Sequence, residues 1–339
     1  MQKKVAVVIL NWNGADMMRN FLPSVLSNSE EADIIVADNG STDDSVAMLR
    51  QEFPQVGLIT LNKNYGFAEG YNKALEQIDT PYTILLNSDV EVTPQWIEPM
   101  LRYMEEHTDT AACQPKIKAE REREMFEYAG ACGGFIDSLG YPFCRGRIFN
   151  TVEKDHGQYD TIVPIFWATG AALMIRTAVF KEAGGLDSRF FAHMEEIDLC
   201  WRLRSRGMKI VCIPKSVVYH VGGATLDKSN PRKTFLNFRN NLLMIYKNTE
   251  PTRLKKVLRW RRILDNLAML QMAFTGKWKD ARAVCRARKE FSRIKTDFAH
   301  SRHTNMEAAK CHHFPEMISG NILWQYYIKG KHHFSQLNR

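Results

Sequence analysis

Near the N-terminus three short apolar runs each stop abruptly in a polar cluster, and that repetition limits what the chain can fold into. Lys4–Leu10 gives way to Asn11-Trp12-Asn13-Gly14, Ile34–Ala37 to Asp38-Asn39-Gly40-Ser41-Thr42-Asp43, and Tyr82–Leu86 to Asn87-Ser88-Asp89. Runs of this length, closed by turn residues, read as strands buried on both faces. Helical spacing lies between them: Met18, Phe21, Leu22, Val25 and Leu26 within 15–27, Val46–Gln51, and a helix opening near Gly66 and running to about Gln77. Val56–Leu61 adds a strand. This alternation predicts βαβ units, hence a Rossmann-like, mostly parallel sheet with helices on both faces. Open sheets of this kind bind ligands outside the carboxyl ends of their strands. The three clusters are therefore expected to converge on one edge as a nucleotide site. Asn87 and Asp89, two apart on an extended chain, share a face there, and hard oxygen donors suit a Mg²⁺ or Mn²⁺ ion that holds a diphosphate.

The middle of the chain continues the pattern less clearly. Trp96–His107 reads as an amphipathic helix and Ala111–Ile117 as a strand. Residues 118–161, charged and then Gly-rich, read as an extended loop or a small hairpin region over the site. Phe166–Arg176 is a strand approached through small residues, and Lys209–Ile213 and Val217–His220 are two short strands. Between these, Glu195, Glu196 and Asp198 open a helix behind the aromatic pair Phe190-Phe191. Acidic residues in a first turn complement the helix dipole, and a carboxylate at such a place in a cleft can serve as a general base. Glu195 and Asp198 share a face with Arg202, whereas Glu196 lies on the side of Leu199, Cys200 and Leu203, which leads toward the sheet edge.

Charge is unevenly spread. Between Thr252 and Thr296 there are 14 Lys/Arg and 3 Asp/Glu, a surplus of 11 cations in a chain whose net charge is +8, so the remainder is mildly acidic at −3. Arg253–Thr275 and Lys277–Phe298 read as helices, and Trp260, Ile263, Leu267, Leu270 and Phe274 form one stripe on the first. A basic helix with an apolar stripe fits an anionic membrane surface, here through 252–296, and the same pattern also fits a core-packed helix with a solvated basic face. No nucleic-acid recognition motif accompanies it. The seven cysteines show no C-x-x-C pair and no framework spacing, which favours free thiols in a reducing compartment. Neither a signal segment nor a bilayer-long apolar run is present, so the expectation is a cytoplasmic protein or one peripheral on the inner face of the cytoplasmic membrane. His312-His313 and His332-His333 in the tail lack a complete ligand pattern.

Taken together, V-x-I-L-N-W-N-G, V-A-D-N-G-S-T-D, N-x-N-Y-G-F-A-E-G-Y-N, L-L-N-S-D-V, T-G-A-A-L-M-I-R, G-G-L-D-x-x-F-F, E-E-I-D-L-C-W-R-L-R and H-x-G-G occur in that order over about 3–248. In this the chain resembles the family-2 glycosyltransferases of GT-A fold, and among them the rhamnosyltransferase type of bacterial surface-polysaccharide synthesis. The resemblance implies a GT-A domain at 1–225, followed by a basic helical extension at 226–339. It implies an inverting hexosyl transfer from a UDP- or dTDP-linked sugar, such as a deoxyhexose, to a glycan or lipid-linked glycan. By the same resemblance Asn11 or Trp12 lies against the base, Asp38 accepts from a ring N–H, and Asn64 helps hold the ribose or diphosphate. Asn87-Ser88-Asp89 corresponds to the family's D-x-D, with Asn87 on the donor side, and Asp89 and His220 holding the Mg²⁺ or Mn²⁺. Glu196 matches the catalytic base and Asp198 accompanies it, while Trp167, Thr169 and Gly170 lie where the acceptor approaches. A nucleotidyltransferase and an inactive nucleotide-sugar-binding scaffold are the alternatives. The first would need a Gly-rich basic loop after the first strand, where Ala15-Asp16 follows Asn13-Gly14.

Overall fold

A computed structural model of the chain describes residues 3–222 and 230–337. The N-terminal third alternates strands and helices as the sequence pattern requires. The strands are β1 (Val5–Asn11), β2 (Ala32–Asp38), β3 (Gly57–Thr60) and β4 (Tyr82–Asn87); the helices are α1 (Ala15–Ser27), α2 (Ser45–Glu52) and α3 (Gly66–Leu75). A short β5 (Val90–Val92), α4 (Glu98–Glu106) and β6 (Thr110–Ala119) follow. Four brief strands come next: β7 (Gly134–Asp137), β8 (Pro142–Cys144), β9 (Arg147–Ile148) and β10 (Thr151–Val152). Then come β11 (Val163–Pro164), β12 (Ala172–Arg176), α5 (Thr177–Glu182), α6 (Glu195–Ser205) and β13 (Lys209–His220). Four helices, α7 (Pro231–Asn248), α8 (Pro251–Phe274), α9 (Trp278–Ile294) and α10 (Ala299–Ala308), precede a two-residue β14 (Met317–Ile318).

The large sheet has the order β11-β13-β6-β12-β4-β1-β2-β3, with β5 paired to β13. Strands β1 to β4 run parallel, but β12 enters antiparallel between β4 and β6, so the sheet is mixed. Between β6 and β12 the chain makes no crossover helix: it runs through the small hairpin sheet and β11 and reaches β12 through the small-residue segment 168–171. The two short strands expected at 209–220 are one strand, β13, with a register shift between Ile213 and Val217. The segment 118–161 supplies four strands of a small sheet, β10-β9-β8-β7-β14, whose last strand comes from the tail.

Alternation along β1 places the core on both faces. Val5, Val7 and Ile9 pack with Met18, Leu22, Met48 and Trp96, while Ala6 and Val8 pack with Tyr71, Ala74 and Leu75. The segment after 230 is knitted into this body. β14 pairs with β7, the Ile322 N–H donates to Asp137 Oδ2 at 3.0 Å, and Phe334 packs against Phe135, Phe143 and Tyr159. The boundary expected at 225/226, like Gly223, falls outside the described residues. All seven cysteines are free thiols; five are buried, Cys285 is exposed and Cys311 is half-buried.

Helix α8 inverts the usual arrangement. It turns Val257, Arg261 and Asp265 inward and leaves Trp260, Ile263, Leu267, Leu270 and Phe274 exposed. Arg261 is accommodated because Asp265 pairs with it at 3.3 Å, Asn241 accepts from it and Tyr141 lies beneath its guanidinium. No helix among the described residues is long and apolar enough to cross a membrane.

The tightest link between α6 and α7 is ionic. Lys247 Nζ lies 2.7 Å from Asp187 Oδ2 and 2.8 Å from Asp198 Oδ2, and both Lys247 and Asp198 are shut off from solvent. Burial alone would push the Asp187 carboxyl up, but Arg189 and Lys247 outweigh it and hold it well below the usual carboxylate range. Removing one member of a buried ion pair leaves its partners uncompensated. Lys247→Met is therefore expected to destabilise the fold by about 3–5 kcal/mol, read as a lower urea midpoint.

Candidate active site

Three sheet-end clusters meet as the sequence implied. Asn11, fully buried at the end of β1, donates from Nδ2 to Asp38 Oδ1 at 3.1 Å and to Ser41 Oγ at 3.3 Å. Asp38 Oδ2 accepts the Ser41 N–H at 3.0 Å. Asn39 carries the network onward, donating to Asn64 Oδ1 at 3.3 Å and to the Gly66 carbonyl at 3.0 Å. Asn64 Oδ1 also accepts the Gly66 N–H at 2.8 Å, which fixes the start of α3. Asn11, Asp38 and Asn64 are thus one connected floor, whereas Trp12 stands outside it with its ring half-exposed. Asn11 Oδ1 is buried without a partner among the described residues.

At the end of β4, Asp89 Oδ1 lies 3.1 Å from His220 Nε2. Asn87 Nδ2 lies 3.3 Å from the same nitrogen. The sheet brings them together: β13 pairs with β5 so that His220 faces Val90, and the Val221 N–H bonds the Asp89 carbonyl at 3.1 Å. Glu127 Oε1 approaches His220 Nδ1 from the other side at 3.6 Å. Burial opposes a charge on His220, but Asp89 and Glu127 outweigh it and push its pKa up to about 10. Asp89 is correspondingly lowered: burial would raise it, and the His220 contact prevails. Among the described residues no group of three or more His, Cys, Asp or Glu side chains is placed to hold a metal ion. Asp89 and His220 are two potential ligands at one strand end, and a divalent ion there would have to displace the imidazole's proton. Glu127 lies in the segment that was least readable, and no periodicity or motif marked it.

The third carboxylate centre rests on a strained turn. Phe191, His193 and Met194 have φ of +66°, +72° and +74°, left-handed values that cost non-glycine residues of order 1–3 kcal/mol each. Two flanking elements hold the turn. The Phe191 carbonyl accepts from Phe67 N–H at 2.9 Å, at the start of α3. On the other side the buried Asn240 of α7 directs Nδ2 at the carbonyls of Phe190 (2.9 Å), Ala192 (2.8 Å) and His193 (2.8 Å). The turn delivers Glu195 and Glu196 at the head of α6. Burial, then repulsion from Glu196, pushes the Glu195 carboxyl well above its ordinary value. Burial raises Glu196 to about 7, moderated by the N–H groups of the helix start. One oxygen of each carboxyl is buried without a hydrogen-bond partner among the described residues.

Asp198 is differently placed. It accepts from Arg202 Nε at 3.0 Å, Lys247 Nζ at 2.8 Å and Asn248 Nδ2 at 2.8 Å, and faces away from solvent. Gly170 lies beside Glu196: a Cβ built there would stand 4.0 Å from the Glu196 Cβ and 2.9 Å from the Phe67 ring. Gly170 precedes Ala171, whose carbonyl accepts the Asn87 N–H at 3.0 Å, so the 170–171 segment links the surroundings of Glu196 to the end of β4. Trp167 and Thr169 are both buried, with the indole N–H on the Phe135 carbonyl at 2.9 Å and Thr169 N–H on Gln114 Oε1 at 3.1 Å.

The mixed sheet with helices on both faces, its polar residues gathered at one edge and its helical C-terminal region fit the GT-A fold, as the solved structures below bear out. Residues 6–170 match the family described as Glycosyl transferase family 2. An N-acetylglucosaminyl-diphospho-decaprenol L-rhamnosyltransferase of Mycobacterium tuberculosis is 26% identical over 231 residues, 63% of this chain and 75% of that one. Rhamnosyltransferase WbbL of Escherichia coli is 23% identical, over 64% of this chain and 83% of its own. Among solved structures, GalNAc-T7 with UDP, GalNAc and Mn²⁺ superposes with a TM-score of 0.57 at 15% identity, over 72% of this chain and 48% of that one. S. aureus TarS 1-349 superposes with a TM-score of 0.53 at 15% identity, over 90% and 88%. Residues 6–170 are a family-2 glycosyltransferase domain, and the chain that carries it resembles the rhamnosyltransferases.

Asn240 has a measurable structural role. Asn240→Ala leaves three carbonyls of the strained turn without their donor, at an expected cost of about 1–3 kcal/mol in urea unfolding. Amide exchange at Phe67 and Ala68, which bond the Phe191 carbonyl, should quicken in the same variant.

Proposed function

We propose that this chain is an inverting, metal-dependent glycosyltransferase. It moves a sugar, a deoxyhexose such as rhamnose, from a UDP- or dTDP-linked donor to a hydroxyl of a glycan or lipid-linked glycan in cell-surface polysaccharide synthesis. The observation that carries the reading is Glu196, a carboxyl with an unpartnered oxygen and a pKa near 7, beside Gly170, whose neighbour Ala171 bonds the strand end that leads to Asp89. The sugar and lipid carrier named for the mycobacterial relative support the donor and acceptor classes, and the Mn²⁺ bound with GalNAc-T7 supports the metal. We assign 1–225 to transfer and 226–339 to an extension that braces the base and contacts the membrane.

In this reading Asn11, Asp38 and Asn64 seat the nucleotide, with Trp12 free to cover the base, and Asn87 lies against the donor. Asp89 and a deprotonated His220 would hold Mg²⁺ or Mn²⁺, and Glu127 would steady the imidazole from its other nitrogen. When bound, the ion neutralises charge on the departing diphosphate. Glu196 takes the proton of the acceptor hydroxyl as that oxygen attacks C1 from the face opposite the diphosphate. Gly170 leaves room for the acceptor beside it, and Trp167 and Thr169 shape the wall behind. Asp198 holds α6 in place through Arg202 and Lys247 and does not itself move a proton. Glu196→Gln keeps size but accepts no proton, so turnover of a dTDP-rhamnose or UDP-sugar donor should fall by roughly 10²–10⁴ while donor binding is unchanged. Retention of most of the activity would remove Glu196 from this role. Asp89→Ala should abolish Mn²⁺ binding in isothermal titration; unaltered binding would move the metal elsewhere.

The outward stripe of α8 supports membrane contact. Trp260, Ile263, Leu267, Leu270 and Phe274 follow helical spacing on one exposed face, with Lys255, Lys256, Arg259 and Arg262 exposed beside them. Binding to phosphatidylglycerol vesicles should weaken as salt rises and be lost in Leu267→Glu/Phe274→Glu. Equal binding to phosphatidylcholine vesicles would contradict it.

A further inference from the structure

Between α6, α7 and α10 lies a cavity of about 380 Å³, and its lining includes none of the residues assigned to donor, metal or base. Four cations line it: Arg202 on α6, Arg206 just past the end of that helix, Lys247 on α7, and Arg189 in the segment that leads to the strained turn. Three of them are engaged. Arg202 donates to Asp198 Oδ2 at 3.0 Å and to the carbonyls of Ala183 at 2.5 Å and Gly185 at 2.6 Å. Lys247 bridges Asp187 and Asp198, and Arg189 grips both oxygens of Asp187 at 2.8 and 2.7 Å. Arg206 is the exception. Its half-buried guanidinium has no ion pair and no hydrogen bond among the described residues. Burial, then repulsion from Arg202, holds its pKa below the usual arginine value, and the more distant Glu182 does not offset them.

The charge balance of the cavity is therefore uneven. Four cations share two carboxylates, Asp187 and Asp198, which leaves a surplus of two positive charges. Asp187 also lines the cavity, but both of its oxygens are committed to Arg189 and Lys247. A half-buried charge without a partner is costly, and a counter-ion relieves the cost. A guanidinium is a flat, weakly hydrated fork that suits the paired oxygens of a phosphate. A phosphomonoester carries about −1.5 to −2 near neutral pH, which matches the surplus, whereas a single carboxylate supplies half of it. At about 30 Å³ per water the cavity has room for roughly a dozen waters, so a phosphate fits together with a small organic group.

We propose that this cavity is a phosphomonoester-binding site seated on Arg206. The phosphate belongs either to a free metabolite or to a lipid headgroup, and the two sources are separable. Glycerol 3-phosphate titrated calorimetrically into the full chain, with UDP and Mg²⁺ in excess so that any diphosphate site is filled, should bind. Arg206→Met should weaken that binding by about tenfold, and Arg206→Lys, which keeps the charge but not the fork, by less. Stability gives a second readout. In chloride buffer Arg206→Met should raise the urea midpoint, because it removes an unpaired, partly desolvated cation. Glycerol 3-phosphate should raise the midpoint of wild type and leave that of Arg206→Met unchanged. The lipid arm uses phosphatidic acid vesicles with Leu267→Glu/Phe274→Glu, which removes the α8 contact. Arg206-dependent binding to these vesicles, with no response to glycerol 3-phosphate, would assign the site to a lipid headgroup. No Arg206-dependent binding of either probe would overturn the proposal. So would a lowered midpoint in Arg206→Met with its response to glycerol 3-phosphate intact, the result expected of a purely structural arginine.

Discussion

The arrangement of this site depends on a turn that cannot hold itself. Three left-handed residues between Phe190 and Glu195 are sustained by Phe67 of α3 on one side and by Asn240 of α7 on the other. An isolated chain would relax such a turn, because each residue gains energy on returning to an ordinary conformation. The two anchors come from opposite ends of the sequence. One continues the floor built from Asn11, Asp38 and Asn64, and the other belongs to the helical C-terminal region. The turn therefore couples the strand-end cluster, the head of α6 and that region into one piece, with the Lys247 ion cluster locking α6 to α7 a few turns further on.

Electrostatics separates two carboxylate centres that composition alone would treat alike. Asp89 is buried beside His220 and is held ionised, while half-buried Glu196, with one oxygen shut away without a partner and no cation against it among the described residues, rises to about 7. Opposite displacements of neighbouring acids are the means by which one site keeps one carboxylate charged and another poised to exchange a proton near neutral pH. Asp198 shows the contrast within a single helix turn. Two residues from Glu196, it is surrounded by Arg202, Lys247 and Asn248, and its lone pairs are committed.

Much of this was legible in the sequence because burial leaves a period. The runs ending at Asn11, Asp38 and Asn87 announced strands and the edge on which their polar ends would meet. The carboxylates at the head of α6 were visible as an acidic first turn, and the 100° step per residue set Glu196 apart from Asp198 but not from Glu195, which lacks the expected Arg202 partner and shares Glu196's unpartnered, raised state. What stayed hidden depends on contacts distant in sequence. Nothing near Glu127 signals that β13 will bring His220 to it, and no local rule reveals that Asn240 will meet three carbonyls some fifty residues earlier. The antiparallel entry of β12 was equally hidden, since a strand reads the same in either direction. The stripe on α8 was readable, but its outward orientation was not: that follows from Arg261 and Asp265 finding partners inside.

The central claim is that burial, and not a neighbouring charge, tunes Glu196 to accept a proton near neutrality. The pH dependence of kcat/KM tests it most directly. A general base works in its ionised form, so the rate should climb with pH through an apparent pKa near 7 and level off above it. The same limb should vanish in Glu196→Gln, leaving a low, flat profile. A wild-type profile already flat from about pH 5.5 to 8, or one whose inflection lies at the ordinary carboxylate value near 4.5, would contradict the account.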